Sequence, residues 1–260
     1  MPPRPPAPAA RRASAATALL GLLALLATAP GAAAEPTPPG TAYRVDPAAL
    51  PPPYATDSAS QGPTRVERPP DLLPLVPDGF TVTLYASGFG HARWLAAGQA
   101  GAVYLAEPRA GQVWLLRDGD GDGQAEERRV VATDFELPHG LAVAADALYV
   151  ADVQAVWRLP LDATGQPDQD AREQVTAAGA LGDPGGHWTR NIALSPDGRR
   201  LYIAIGSAGN IGEEPLPRAS VQVLDLASGQ QETFASGLRN PVGLAPRPGR
   251  GGGWGPAGGR

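Results

Sequence analysis

The chain has 260 residues, enough for one large domain or two small ones. Its 33 glycines and 30 prolines, with only 18% charged residues, argue against a helical bundle. The net charge of −5, without a basic run in the body of the chain, argues against nucleic acid and anionic membranes as partners, and the lack of cysteine excludes disulfides and thiolate chemistry.

The first 34 residues have the pattern of an export signal that is cleaved. Arginines precede an apolar run rich in alanine and leucine over 15–29, and small residues at 32–34 provide a cleavage site. The run is shorter than the roughly 20 apolar residues that a membrane-spanning helix needs. We therefore expect a signal peptide over 1–34, no membrane span after cleavage, and a periplasmic or secreted protein.

The next segment, residues 35–77, is rich in proline and has no apolar periodicity. Such a composition favours extended backbone over packed structure. We therefore predict an irregular N-terminal arm over 35–77, followed by one domain over 78–260.

This domain contains an internal repeat. Segments that begin at Ala86, Ala132 and Ala235 each place an alanine ten residues before the alanine of a Leu-Ala pair, and a looser copy begins at Ala177. Successive copies start 46, 45 and 58 residues apart. A period of about 40–50 residues with four short strands is typical of a propeller blade. We predict an all-β fold with about four incomplete four-stranded blades, because an open sandwich gives no reason for a fixed period.

Short runs rich in Val, Tyr, Trp and Ile lie between the copies and are separated by turn residues, as in strands joined by hairpins. The second strands of successive repeats are predicted at 102–106, 147–151 and 200–204, and the third strands at 112–116, 155–159 and 220–224. Strands are expected throughout 78–245.

The order of strands in a blade assigns its loops to two faces. The junction from the outermost strand of one blade to the innermost strand of the next shares a face with the loop between the second and third strands. One junction is six residues longer than the others, and the additional residues fall in 181–188. A loop lengthened in one repeat is where binding chemistry is usually added. The loop at 206–214 and the segment at 238–241 are expected on the same face.

Two side chains on this face suit catalysis. His187 lies in the lengthened junction, where an imidazole could act as a general base on a hydroxyl; the alternative is a histidine bonded to a backbone carbonyl. Arg239 suits an anionic cofactor or a developing oxyanion; the alternative is a salt bridge at a blade junction. His91 and His139 occupy different offsets in their repeats, so a three-histidine zinc site is not expected, and His139 is interpreted as a hydrogen-bonding junction residue.

An acidic turn begins at Asp118. With Asp120 and Asp122 it places acids at positions 1, 3 and 5 before a glycine, as in a calcium loop, but position 12 is Arg129, so a complete EF-hand is excluded. A shortened loop closed by Glu126 or Glu127 would bind structural calcium, and we select Asp118, Asp120, Asp122 and Glu127 as its ligands. The alternative is a solvated acidic turn. In either case it should lie on the face opposite His187.

Residues 186–210 resemble the central motif of the glucose/sorbosone dehydrogenase family, and residues 236–245 resemble its second signature. The resemblance covers about 78–245 and implies a six-bladed propeller that binds pyrroloquinoline quinone and calcium. His187 would take the proton from the anomeric hydroxyl of a sugar as hydride passes to the quinone, which Arg239 and Asn240 would contact. Glucose-type members have an acidic residue where this chain has Gly186, which implies the sorbosone-like branch.

After Ala245 the sequence is rich in glycine, proline and arginine and indicates no further strand, whereas the family continues through more than two further blades. We therefore expect the incomplete N-terminal part of a quinoprotein sugar dehydrogenase, truncated or frameshifted and inactive alone. Two other functions stay open. One is a lactonase-type hydrolase, which needs a channel calcium held from several blades; the other is a non-catalytic propeller that binds a glycan or protein.

Overall fold

The computed structural model describes residues 38, 40–69, 72–246 and 254–257, so the predicted signal peptide lies outside the described residues. The chain divides into two compact units, with the boundary between Pro52 and Pro53. In the described part of the first unit, a single 3-10 turn spans Pro47–Ala49, and Asp46 accepts a hydrogen bond from the Ala48 amide at 3.0 Å. The described residues of the predicted arm contain no other helix or strand.

The second unit is built from short antiparallel strands. In chain order its described strands are β1 (Trp94–Ala97), β2 (Ala102–Glu107), β3 (Gln112–Arg117), β4 (Glu127–Ala132), β5 (Gly140–Val143), β6 (Ala147–Ala151), β7 (Val156–Pro160), β8 (Glu173–Gln174), β9 (Arg190–Leu194), β10 (Arg200–Ile205), β11 (Ser220–Asp225), β12 (Gln231–Ala235), β13 (Gly243–Pro246) and β14 (Trp254–Ala257). A 3-10 turn over Pro108–Ala110 joins β2 to β3. A search of the described residues for a helix that could span a bilayer finds none.

These strands form four sheets in which chain neighbours pair. Strands β1 to β4, β5 to β8 and β9 to β12 make three four-stranded antiparallel sheets, and β13 pairs with β14. The first strand of each sheet contacts the first strand of the next, from β1 through β5 and β9 to β13. The all-β class and the four-stranded sheets predicted from the repeat are therefore confirmed.

Apolar side chains fill the space between neighbouring sheets. Tyr104 and Leu115 of the first sheet pack against Leu148 of the second. Tyr149 of the second sheet packs against Ile203 of the third. Strand β6 is buried at every position, as expected for a strand with a packed sheet on each face. The cores between the sheets hold the first strands side by side, and this places their connecting loops at two common ends.

The predicted second and third strands agree with β2, β6, β10 and β3, β7, β11 to within one residue at each end. Two other expectations were wrong. Residues 78–93 form no strand. Instead Tyr85 and Phe89 cover Leu105 and Leu116 on one face of the first sheet, and the segment makes only isolated backbone hydrogen bonds, such as that from the Ala125 amide to the Tyr85 carbonyl at 2.8 Å.

The second error concerns the segment after Ala245, where no strand was expected. Here the backbone of Trp254–Ala257 pairs antiparallel with Gly243–Pro246. Pairing uses backbone amides and carbonyls, so a segment poor in β-branched residues can still form a ladder.

Candidate active site

The junction that contains His187 spans residues 175–189, between β8 and β9, and is called the long junction below. It meets the loop that follows β10. The His187 amide donates to the Ser207 carbonyl at 2.9 Å, and Nδ1 of its ring lies 2.8 Å from the Ser207 hydroxyl and 3.1 Å from the same carbonyl. The long junction and the 206–214 loop, predicted to share a face, are thus in direct contact.

The partners of Ser207 determine where the imidazole proton sits. The Ser207 hydroxyl donates to the Gly209 carbonyl at 2.6 Å, so toward His187 it acts as an acceptor, as does the Ser207 carbonyl. Nδ1 must therefore carry the hydrogen, and Nε2 keeps its lone pair. No residue in the described part of the chain donates a hydrogen bond to Nε2. This arrangement fixes one nitrogen of the ring and leaves the lone pair of the other without a donor among the described residues.

Arg239 and Asn240 approach the same loop from the junction that follows β12. The Ser207 amide donates to the Arg239 carbonyl at 2.8 Å, and the Arg239 guanidinium donates to Oδ1 of Asn210. Arg239 is exposed and forms no ion pair within the described residues. Oδ1 of Asn240 is buried and has no hydrogen-bond partner there.

Gly206 allows these groups to come together. A Cβ on Gly206 would lie 2.6 Å from Cβ of His187 and 2.7 Å from Oδ1 of Asn240, closer than real Cβ atoms pack. Beyond it, Glu214 closes the loop by accepting from the Ala208 and Gly209 amides at 2.7 and 3.0 Å. A cavity of about 510 Å³ opens beside this loop, with Arg239 in its wall.

The other side of the long junction is aromatic. Trp188 meets the ring of His139 edge-on at 5.3 Å, and the Arg93 guanidinium lies 5.1 Å from the Trp188 ring centre. His139 is fully buried and stacks on Trp94 at 5.9 Å. Burial, with the charges of Arg93 and Arg190, lowers the pKa of His139 to about 4, so this imidazole is neutral at physiological pH.

Two buried arginines beneath the long junction were missed by the sequence reasoning. Arg190 is wholly buried and donates to the carbonyls of Thr189 and Asp183 at 2.9 and 3.0 Å. Burial and the nearby charge of Arg218 lower the pKa of Arg190 to about 10. The signal available was an arginine at the start of a strand that ends in three apolar residues, and this signal by itself does not specify a partner.

The acidic turn lies at the other end of the sheets, between β3 and β4. Its Asp118 accepts from the Gly123 and Gly121 amides at 2.8 and 2.6 Å, and these bonds lower the pKa of the carboxyl. The carboxylate oxygens that come within 4.8 Å of one another belong to Asp118, Asp120, Asp122 and Glu126. The choice of Glu127 as fourth ligand does not fit this geometry, because its carboxylate pairs with Arg117 and Arg129, each at 2.7 Å.

Comparison with known proteins adds a family and a fold. Residues 74–257 match the family model described as TrAA12-like. The chain is similar to structures of carbohydrate-active enzymes family AA12 from Trichoderma reesei, determined with iodide and with calcium, at 22% identity and a TM-score of 0.56, over 65% of this chain and 46% of theirs. It is also similar to the holo PQQ (pyrroloquinoline quinone) domain of pyranose dehydrogenase from Coprinopsis cinerea, at 20% identity and a TM-score of 0.53, over 62% of this chain and 42% of that one.

The chain thus spans less than half the length of these solved relatives. At such identities the likeness shows the fold, which is of the propeller type, while the total of six blades stays a prediction. No curated protein matches the chain.

Proposed function

The chain belongs to the TrAA12-like family, and on that premise we propose that it provides the proton-accepting side of a sugar dehydrogenase that depends on pyrroloquinoline quinone. The observation that carries the proposal is the His187 ring, held at Nδ1 by Ser207 with Nε2 unpartnered in the described residues. The PQQ domain named in one relative supports the cofactor, and the carbohydrate-active family named in another supports a sugar substrate.

The residues present fit this cofactor. The quinone is a planar polyanion, and Arg239 offers an exposed guanidinium without a carboxylate partner among the described residues. Asn240 is half-buried, and its buried amide oxygen lacks a partner there and can accept from a donor on the cofactor. We propose that these two residues hold the quinone beside His187.

The proton transfer follows from the position of the imidazole hydrogen. When bound, the quinone supplies a two-electron acceptor for hydride. Nε2 of His187 accepts the proton of the anomeric hydroxyl, and both ring nitrogens then carry hydrogen. The Ser207 carbonyl and hydroxyl, which already accept from Nδ1, stabilise the imidazolium that forms. With glycine at position 186, we propose a sorbosone-like aldose as the substrate.

Four further features belong to the same proposal. The protein is exported to the periplasm or secreted. It passes electrons from the reduced quinone to an external acceptor, whose place a dye takes in the assay. The acidic turn binds structural calcium. Because the chain spans less than half of its solved relatives, we propose that turnover requires a protein of their length, to which this chain contributes His187, Arg239 and Asn240.

The test separates binding from chemistry. Quinone binding is measured on the 260-residue chain by quenching of tryptophan fluorescence, and aldose-dependent dye reduction on a version restored to the length of the relatives. His187→Ala should lower turnover by about 10²-fold or more and leave the quinone Kd nearly unchanged, because a general base is lost. Arg239→Ala should weaken both binding and turnover by about tenfold, the effect of losing a charged contact of about 1.4 kcal/mol.

The exposed Arg200, at the opposite end of β10, provides the matched control, and Arg200→Ala should leave both quantities unchanged. Lactone hydrolysis without quinone would instead support a lactonase. Glycan binding without quinone binding would support a non-catalytic propeller. Full turnover by His187→Ala would overturn the proposal.

A further inference from the structure

Arg218 lies two residues before β11 and is only 6% exposed. Its guanidinium donates to backbone carbonyls from two different loops. Nε donates to the Gly206 carbonyl at 2.6 Å, while the terminal nitrogens donate to the Asp183 carbonyl and to the Gly185 carbonyl at 2.7 Å. A longer contact of 3.5 Å reaches the carbonyl of His187 itself.

No carboxylate pairs with this guanidinium in the described part of the chain. Burying a charge is costly unless its hydrogen-bonding groups are satisfied, and here carbonyls satisfy them. The planar, five-donor guanidinium can reach several acceptors at fixed angles, which the single ammonium of lysine cannot do. The arrangement therefore specifies arginine and holds the carbonyls in one geometry.

These carbonyls lie on both sides of the contact that orients the catalytic ring. Asp183 and Gly185 belong to the long junction just before His187, and Gly206 precedes Ser207, the residue that holds Nδ1. The long junction also packs on the arginine stem, since a Cβ on Gly182 would lie 3.1 Å from Cδ of Arg218. Arg218 thus ties the histidine to its hydrogen-bond acceptor.

We propose that Arg218 is a positioning residue for His187, which joins the long junction to the loop after β10 and so keeps Nδ1 on Ser207 and Nε2 free for the substrate. The effect of Arg218 on catalysis rests on the proposed function, whereas its effect on the position of His187 does not. If Arg218 only stabilised the fold as a whole, replacing it would increase the exposure of all three histidines alike.

Arg172 provides a matched control. It also donates to a backbone carbonyl of an inter-blade junction, that of Thr133 at 3.0 Å, and its guanidinium lies 5.0 Å from the Phe135 ring centre. It holds residues 133–139, the junction between β4 and β5, which does not contain His187. Replacing it tests what loss of a junction arginine does in general.

The experiment measures histidine reactivity in the 260-residue chain by mass spectrometry after treatment with diethyl pyrocarbonate. In Arg218→Lys, the modification rate at His187 should rise several-fold, because Nδ1 leaves Ser207 and the half-buried ring becomes exposed on both nitrogens. The rates at His91 and His139 should stay within about twofold of the parent, as expected for local opening. Arg172→Lys should leave His187 unchanged. Gly182→Ala would place a Cβ 3.1 Å from Cδ of Arg218 at a left-handed φ of 68°, so it should also raise the His187 rate, and non-additivity with Arg218→Lys separates the shared contact from backbone strain.

An unchanged His187 rate in folded Arg218→Lys would overturn the proposal, as would a parallel rise at all three histidines. If Arg218→Lys does not fold, Gly182→Ala decides by the same two criteria. In the version that turns over, Arg218→Lys should lower kcat about tenfold or more with little change in quinone Kd. If the reactivity changes as expected but quinone does not bind, the positioning role stands and the proposed function fails.

Discussion

Two junctions at equivalent places in the repeat each contain a histidine, yet the structure uses these histidines differently. The short junction, residues 133–139, ends in His139, which is wholly buried between Trp94 and Trp188. The long junction holds His187 at half-burial against Ser207. The additional residues of the long junction carry the second histidine out of the packing between the first strands and onto the loop after β10.

Chain length at one junction therefore decides whether an imidazole is enclosed in the core or left half-buried on a loop. In the short junction the His139 amide pairs with the Ala151 carbonyl at 2.8 Å, so its ring must enter the core. In the long junction the His187 amide pairs with Ser207 instead, in another loop, and the residue stays half-buried. If this contrast is correct, substitutions at the two junctions should affect different properties.

The largest expected effect concerns His139 and pH. Its folded pKa of about 4 lies below the usual 6.5, so the unfolded chain binds the additional proton as pH falls. The stability of the neutral, buried ring is complete above pH 6.5 and is lost as pH falls toward 4, by at most about 3 kcal/mol. Urea unfolding between pH 7.5 and 4.5 should show this loss, and His139→Gln should flatten it.

His91→Gln serves as the control for this measurement, because His91 lies half-buried beside the same Trp188 without being enclosed. It should keep the pH dependence of the parent. Equal slopes for the parent and His139→Gln would show that the short junction does not hold a neutral, enclosed histidine.

A smaller effect is expected from two glycines of the long junction. Gly179 and Gly186 both have left-handed backbone, with φ of 75° and 71°, but a Cβ would meet open space at Gly179 and would overlap the Ala208 carbonyl oxygen at Gly186. Gly179→Ala should lower the free energy of unfolding by about 1 kcal/mol, the cost of a left-handed alanine. Gly186→Ala should cost about 2 kcal/mol or more and displace His187.

The measurements are urea unfolding and the rate of His187 modification. Gly179→Ala should leave that rate unchanged, since the strain stays local. Equal stabilities and equal rates in the two variants would mean that the long junction is not packed against the loop after β10.

The second and third strands of the three four-stranded sheets were predictable because their information is local. Val, Tyr, Trp and Ile recur at a fixed spacing, and turn residues separate the runs. The strand at Trp254–Ala257 was not predictable, since its sequence lacks β-branched residues and shows no strand pattern, while its pairing with Gly243–Pro246 is made by the backbone. The prediction that the His187 and Arg239 loops share a face needed only the order of strands within a blade and no knowledge of side-chain packing.

The buried guanidinium of Arg218 was not predictable, because its acceptors are carbonyls of residues 12 to 35 positions away. Every residue has a backbone carbonyl, so the amino-acid sequence does not indicate which carbonyls will accept from a distant arginine. The choice between Glu126 and Glu127 had a similar cause. Glu127 opens β4 opposite Arg117, and this cross-strand register directs its carboxylate into an ion pair and away from the turn.

The smallest expected effect is a calcium-dependent change in stability at the acidic turn, which lies at the end of the sheets opposite both junctions. It tests the cross-strand pairing of Glu127 with Arg117. If the acidic turn binds calcium, the ion at five times its Kd adds about 1 kcal/mol to the free energy of unfolding. For a chain of this size that shift raises Tm by about 2–4 °C. Thermal unfolding after removal and return of calcium should show the shift in the parent.

Two neighbouring glutamates make the test specific. Glu126→Gln should abolish the calcium-dependent rise in Tm, because this carboxylate faces Asp118, Asp120 and Asp122. Glu127→Gln should keep the rise and lower the starting stability by less than about 1 kcal/mol, since it removes a half-exposed ion pair. The reverse pattern would show that Glu127 leaves Arg117 to bind the ion, and no rise in the parent would indicate a solvated turn. In every variant the His187 modification rate should be the same with and without calcium, because the long junction and the acidic turn lie at opposite ends of the sheets.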